Sequence, residues 1–432
     1  MSEQREVSIR VPVLARVEGE GALEIDIKNG AIADLRLRIF EPPRFFEKFL
    51  EGRAYHEVPD MVARICGICP VAYQMSAVHA LEGIFGADPG PWVRAMRRAM
   101  YCGEWIESHC LHIHLLAAPD FLGYGSVIEM ARDYQDEVRR GLALQALGND
   151  LIRLLGARSV HPVGVRVGGF HKAPDMETVA ALRERLRAAL PDAEALLQWT
   201  AGLPMRGGDQ QFACVALRHP AEYPMNEGRI VSDRGLDIGI EEYDRFFEER
   251  QVPHSTALHS LLEGQPYLVG PLARINLNAG RLPAPVTDAL RATGISFPSH
   301  NPYHSVVARA AEVYYALWEA LRILDAYAEP AQPFMPVAPR AGVGFGCTEA
   351  PRGLLWHRYE TDGDGSIRAA RIVPPTSQNQ ARIEQDLRLS LESFGLARAD
   401  DELRRLGEQV IRNYDPCISC STHFLRLDVR RA

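Results

Sequence analysis

Apolar and polar side chains alternate early in the chain, in Val7-Ser-Ile-Arg-Val11 and again in Gly21-Ala-Leu-Glu-Ile-Asp-Ile27. An Asn29-Gly30 turn follows, and residues 31–39 alternate once more, which predicts a hairpin or small sheet. After Asp60 the apolar period lengthens to that of a helix. It predicts helices over 71–85, 91–117, 126–155, 176–199, 304–328 and 380–396. The second of these opens after Asp88-Pro-Gly90 with Pro91 early, as helix starts prefer. Residues 202–282 read as short strands and loops, and Asp362-Gly-Asp-Gly365 as a turn between strands at 354–360 and 366–373. No flexible linker, repeat or low-complexity tract interrupts this pattern. The expected fold is mainly α: one domain over 1–432, with a large helical core, an N-terminal β hairpin or sheet and peripheral short strands.

Composition narrows the function. Of 432 residues, 47% are apolar, enough to bury a large core. The 48 basic and 56 acidic residues give a formal charge of −8, and no Lys/Arg-rich run stands out, so a nucleic-acid partner is not expected. The N-terminus leads into no apolar signal region, and no stretch reaches the roughly 18 apolar residues of a membrane span. Eight cysteines in such a chain fit a reducing cytoplasm and metal or redox use better than disulfides.

Four of those cysteines form two Cys-x-x-Cys pairs. Cys66 and Cys69 lie in Arg64-Ile-Cys-Gly-Ile-Cys-Pro70, and Cys417 and Cys420 in Asp415-Pro-Cys-Ile-Ser-Cys-Ser-Thr-His423. Two intervening residues let both sulfurs of a pair reach one ion, and soft thiolates suit zinc, nickel, copper(I) or iron. Both pairs are expected to hold a single metal centre. On spacing alone, a structural zinc site with four cysteine ligands is as good a reading as any other. Against it stand the 351 positions between Cys66 and Cys417 and the apolar, proline-containing flanks. Cys102, Cys110, Cys214 and Cys347 have no ligand spacing and read as small buried hydrophobes. His109 and His112 share a helix face but read as core histidines bonded to backbone. Taken alone, Glu18 is a solvated strand-end carboxylate and Asp120 a helix-terminus residue after Pro119.

The flanks of the cysteine pairs resemble the two terminal signatures of the nickel–iron hydrogenase large subunit. The resemblance runs nearly end to end: Ala15-Arg-Val-Glu-Gly19, residues 109–120, His161-Pro-Val-Gly-Val-Arg-Val-Gly-Gly169, Glu349-Ala-Pro-Arg-Gly353 and Val373-Pro-Pro-Thr376 follow in order. It implies that Cys66 and Cys417 are terminal nickel ligands. Cys69 and Cys420 would bridge to an iron carrying carbon monoxide and cyanide. It further implies that Glu18 gates protons beside Cys417, and that Arg352 lies over the diatomic ligands with Asp120 and Asp415 holding it. Thr376 is a candidate donor to cyanide, and Pro375 stands where many members have Ser. Glu47, in Phe46-Glu-Lys-Phe49, and His423 would bind magnesium. The chain departs from the family at Glu20, where a His is usual, and at Tyr73, where a His usually bonds a bridging sulfur.

The same resemblance implies maturation: nickel-insertion proteins load the site, and an endopeptidase cuts after His423 to release residues 424–432. Tyr73, the Val373-Pro-Pro-Thr-Ser-Gln-Asn379 segment and the short length look most like the soluble cytoplasmic group, NAD(P)-linked or sulfhydrogenase-type. The chain has no dinucleotide fingerprint and no further cysteine clusters. Electrons are therefore expected to leave through an iron–sulfur small subunit, with flavin-bearing diaphorase and further iron–sulfur subunits beyond it. A hydrogen sensor would carry the same site. A complex I relative would share the fold but lack the four cysteines.

Overall fold

The computed structural model describes residues 6–422. The strands Val7–Val11, Gly21–Lys28 and Ala31–Ile39 form an antiparallel sheet in that order, with Val7 opposite Ile27 and Gly21 opposite Ile39. Its alternate residues Leu23, Ile25, Leu37 and Ile39 are buried, as the alternation requires.

Long helices make the core: Pro70–Phe85, Gly90–Leu111, Gln135–Gly156, Met176–Ala201, Ser305–Asp325 and Pro375–Phe394. The 90–111 helix packs against both the 135–156 and 305–325 helices. Gly103 and Gly148 face each other there, and a Cβ on Gly148 would lie 2.6 Å from the Gly103 carbonyl. The two backbones therefore approach more closely than any side chain would allow. Among the described residues the larger apolar cluster runs from Ile9 to Cys420, and a smaller one gathers around Tyr243, Tyr267 and Trp356. No helix among the described residues is long and apolar enough to cross a membrane.

Three expected helices differ from the structure. The helix predicted over 91–117 passes at His112 into a π turn, His112–Ala117, and then into a short helix, Ala118–Leu122. Pro119, which cannot donate its backbone nitrogen to a preceding carbonyl, stands at that break. The region read as one helix from 126 is a short turn, Val127–Met130, followed by Gln135–Gly156. Pro375–Phe394 begins five residues before the expected 380, because Pro375 takes the first helical position. A further helix, Asp400–Asn413, escaped the sequence reading although Leu403, Leu406, Val410 and Ile411 mark its buried face.

A second antiparallel sheet, Gly342–Ala350, Gly353–Thr361 and Ile367–Val373, lies against the 70–85 helix. Only its last two strands were foreseen. Gly344 and Gly346 turn their missing side chains toward that helix: a Cβ on Gly346 would sit 1.9 Å from the Ser76 carbonyl. This contact brings the tip of the 350–353 hairpin next to the loop carrying Cys66 and Cys69.

Candidate metal centre

Cys66 ends a 3-10 turn, Ala63–Ile65, in extended backbone, and Cys69 immediately precedes the Pro70–Phe85 helix. Glu104, from the neighbouring helix, accepts the Val71 and Ala72 amides at 2.6 and 3.1 Å and so caps that helix start. The second pair follows the 400–413 helix, where Asp415 takes a left-handed conformation (φ 54°) that turns the chain inward. Cys417 then lies beside Glu18 as a parallel bridge, with the Ile418 amide donating to the Glu18 carbonyl at 2.9 Å.

These two turns bring the four sulfurs together. Cys66 and Cys417 are 3.4 Å apart, Cys69 and Cys420 3.6 Å, Cys417 and Cys420 2.9 Å. Each is at most 3% exposed. Disulfide sulfurs would stand at about 2.05 Å, and all eight cysteines are free. Burial pushes the thiols of Cys69, Cys417 and Cys420 up. Against the same burial, hydrogen bonds from the other three sulfurs and the charge of Arg352 bring Cys66 well below the usual range. The Cys66 sulfur also accepts the Ile68 and Cys69 amides at 3.3 and 3.2 Å. Four converging, buried, unlinked sulfurs beside a cation fit a soft metal centre.

Arg352 stands at the tip of the two-residue loop joining Ala350 to Gly353 and is 2% exposed. Its Nε donates to the Asp415 carbonyl at 2.7 Å and its Nη2 to the Asp415 carboxylate at 3.0 Å. Burial would favour the neutral form, but Asp415 and the sulfurs of Cys417, Cys69 and Cys66 outweigh it, so Arg352 stays a guanidinium.

Asp120 does not hold Arg352, and this corrects the expectation from sequence. Its two oxygens are committed to Arg412, at 2.6 and 3.0 Å, and Oδ1 also accepts from Arg16. Arg412 belongs to the helix leading to Cys417, and Arg16 to the loop carrying Glu18. Asp120 thus fixes the two segments that meet at Cys417, without touching the sulfurs.

The Glu18 carboxylate accepts from the Cys417 sulfur at 3.1 Å and from the Ser419 amide at 3.0 Å. Thr376 holds the same cysteine from the other side, its hydroxyl accepting the Cys417 amide at 3.0 Å. Tyr73 is fully buried, and its otherwise unpartnered hydroxyl faces Cys420. Burial, then the charges of Cys420, Cys69 and Cys66, push its pKa well up, so it is a neutral donor. Glu47 accepts the Ile372 amide at 2.7 Å. His423, its expected partner for magnesium, and the tail at 424–432 lie outside the described residues.

His112 bonds the Arg412 carbonyl at 2.8 Å as a core histidine should, but His109 pairs instead with the Glu312 carboxylate at 2.9 Å. Neither is a ligand to the sulfur cluster, and Cys102, Cys110, Cys214 and Cys347 are buried apart from it.

Three contributors escaped the sequence reading. Arg44 donates to the Ile65 carbonyl at 2.5 Å and to the Ser419 carbonyl, clamping one cysteine loop to the other. Glu41 accepts from the Ser419 hydroxyl at 2.9 Å and from the Glu20 amide at 3.3 Å. Arg274 donates to the carbonyls of Ala350 and Pro351 at 2.8 and 2.9 Å, fixing the hairpin that presents Arg352. None carries a local spacing signal, because each acts on residues distant in sequence.

Comparison with known proteins agrees with this geometry. The family model for nickel-dependent hydrogenases matches residues 44–140 and 262–423. The alpha chain of sulfhydrogenase 1 from Pyrococcus furiosus is 34% identical, over 97% of this chain and 98% of that protein. A chain of the F420-non-reducing hydrogenase of Methanothermobacter marburgensis is 29% identical, over 99% and 97%. Among solved structures, a NAD+-reducing NiFe hydrogenase in the H2-reduced state superimposes with a TM-score of 0.87 at 27% identity, covering 97% of this chain and 99% of that one. With four buried sulfurs converging where the two terminal signatures meet, and relatives that match along their whole length, the chain belongs to the nickel-dependent hydrogenase family.

Proposed function

We propose that this chain is the catalytic subunit of a cytoplasmic nickel–iron hydrogenase that splits dihydrogen heterolytically and sends the electrons to a partner protein. The observation that carries this reading is the Glu18 carboxylate on the Cys417 sulfur. Cys66 and Cys417 would hold nickel, and Cys69 and Cys420 would bridge nickel to an iron bearing carbon monoxide and cyanide. When bound, that centre supplies the site where dihydrogen is polarised and its two electrons are accepted.

The side chains have separable tasks. The Cys417 sulfur is the nearest base, and Glu18 takes the proton from it. Behind Glu18, the Ser419 amide on its carboxylate, the Ser419 hydroxyl on Glu41 and the Glu20 amide on Glu41 brace the loop, and Glu20 stands where the family has a His. Arg352 places a fixed positive charge beside the cluster, where negative charge develops. Thr376 and Tyr73 orient the sulfur ligands, and magnesium between Glu47 and His423 completes the same reading.

No dinucleotide fingerprint is present, so an iron–sulfur small subunit carries the electrons, with flavin-bearing and further iron–sulfur subunits completing a path to NAD(P). The sulfhydrogenase relative and the NAD+-reducing structural neighbour support this route. Nickel-insertion proteins and an endopeptidase acting after His423 would mature the chain.

Elemental analysis and infrared spectroscopy of the purified complex test the proposal together. Nickel, iron, and both carbon monoxide and cyanide bands are expected, with an intact mass lacking residues 424–432. Zinc without nickel, or nickel without the diatomic bands, would refute the centre. High specific activity is expected, whereas very slow turnover would mark a sensor.

The Arg352→Lys variant should load the same metals but lose about 10²-fold or more in kcat. Lysine keeps the charge but not the planar fork held by Asp415. Wild-type turnover would show that the fork is dispensable.

A further inference from the structure

Outside the cysteine centre, one other group of ligand-type side chains converges among the described residues: His254, His259 and Glu384. One nitrogen or oxygen from each lies within 4.8 Å of the others. The residues come from three places. His259 opens the strand His259–Leu262, which pairs with Phe247–Arg250. His254 stands in the loop between those strands, and Glu384 lies midway along the Pro375–Phe394 helix.

The two imidazoles meet nearly edge to face, with ring centres 5.8 Å apart and planes at 86°. His254 Nε2 lies 2.8 Å from Glu384 Oε1, which also accepts the Leu37 amide at 2.9 Å. The second Glu384 oxygen makes no hydrogen bond among the described residues. His259 is the telling member. It is only 6% exposed, and its Nε2 is buried without a hydrogen-bond partner. A core histidine is ordinarily satisfied, and an orphaned ring nitrogen is costly. A cation would remove that cost.

We propose that His254, His259 and Glu384 form a second metal site, for a divalent ion of borderline softness such as zinc, with water as the fourth ligand. Two imidazoles and one carboxylate form a known zinc ligand set. Zinc ligands at about 2.0–2.2 Å stand about 3.4 Å from one another, so these side chains need only small rotations to close on an ion. His254 also lines an open cleft of about 440 Å³, together with Arg38, Phe40 and Gln251, which gives the ion a way in and water a place to bind. Arg38 is occupied by Glu24 at 2.6 Å.

The role of the site is structural. An ion there ties the 247–262 hairpin to the 375–394 helix and, through the Leu37 amide on Glu384, to the N-terminal sheet. Eight residues before Glu384, about 12 Å along the same helix, Thr376 holds the Cys417 amide. The site anchors the helix that supports one of the nickel-type cysteines.

The test uses the mature complex, stripped of loose ions with a chelator, desalted and titrated with Zn²⁺. Wild type should bind one zinc per large subunit beyond its nickel and iron. His259→Gln and Glu384→Gln should each weaken that zinc by tenfold or more at unchanged nickel content. Glutamine at 384 can still accept the Leu37 amide, which keeps this variant folded if the histidine variant fails. Zinc X-ray absorption should show only nitrogen and oxygen neighbours at about 2.0–2.2 Å. No zinc beyond nickel and iron, equal binding by wild type and both variants, or sulfur neighbours would overturn the proposal.

Discussion

Replacing Glu18 with glutamine is expected to lower hydrogen oxidation by about 10²–10⁴-fold while leaving the metal content unchanged. The isostere separates two roles of this side chain. Glutamine can still accept from the Ser419 amide, and the Ile418 amide still reaches the Glu18 carbonyl, so the loop carrying Cys417 keeps its shape. What is lost is a group that can bind and release a proton beside the sulfur. Nickel quantification and infrared spectra of the variant should match wild type, while kcat falls. Glu18→Asp should recover part of the rate, since the shorter carboxylate stands farther from Cys417. Activity within twofold of wild type in Glu18→Gln would show that protons leave by another path.

Arg274→Met should have the largest effect on stability, about 3–5 kcal/mol. Arg274 is fully buried and grips Glu312 with two nitrogens, at 2.8 and 2.7 Å, and Glu349 at 3.0 Å. One guanidinium shared by two carboxylates settles them differently. Burial pushes Glu349 up to about 7, with Arg274 pulling the other way. For Glu312, Arg274 overcomes burial, assisted by His109, and holds the group down to about 2. Methionine would leave one ionised carboxylate, and part of a second, without a counter-charge in the core. It would also free the Ala350 and Pro351 carbonyls, so Arg352 would lose its seat. Chemical denaturation of the variant should show a lower midpoint, and its nickel content should fall. Neutralising the partners in Arg274→Met/Glu312→Gln/Glu349→Gln should restore part of the loss. A triple variant no more stable than the single one would show that the buried charge is not the cause.

Asp120 shows how far a motif can be trusted. Its place in the 109–120 segment is a local fact, and the resemblance assigns it to Arg352. The structure gives it to Arg412 and Arg16, because the 400–413 helix, which the sequence reading did not include, brings Arg412 back across the 118–122 turn. Tyr73 shows the converse. The substitution is plain in the sequence, yet its consequence, a buried neutral hydroxyl facing Cys420, depends on the surrounding packing.

By itself the sequence determined the period of the N-terminal sheet and of most of the long helices, the two cysteine pairs and the soft-ligand chemistry they imply. These are local properties: alternation, helical spacing and a two-residue gap between ligands are set by neighbours along the chain. It also carried the motifs that name Glu18 and Arg352. Only the tertiary structure decided which groups serve those residues. Arg44 locking the cysteine loops, Glu41 behind Ser419, Arg274 under the Arg352 hairpin and His259 beside Glu384 all act across more than a hundred positions or between separate elements. Such contacts depend on which faces pack together, and no local pattern encodes them. The two cysteine pairs meet for the same reason: the Glu18 segment bridges Cys417, and the glycine-lined sheet draws Arg352 down onto the turn that holds Cys66 and Cys69.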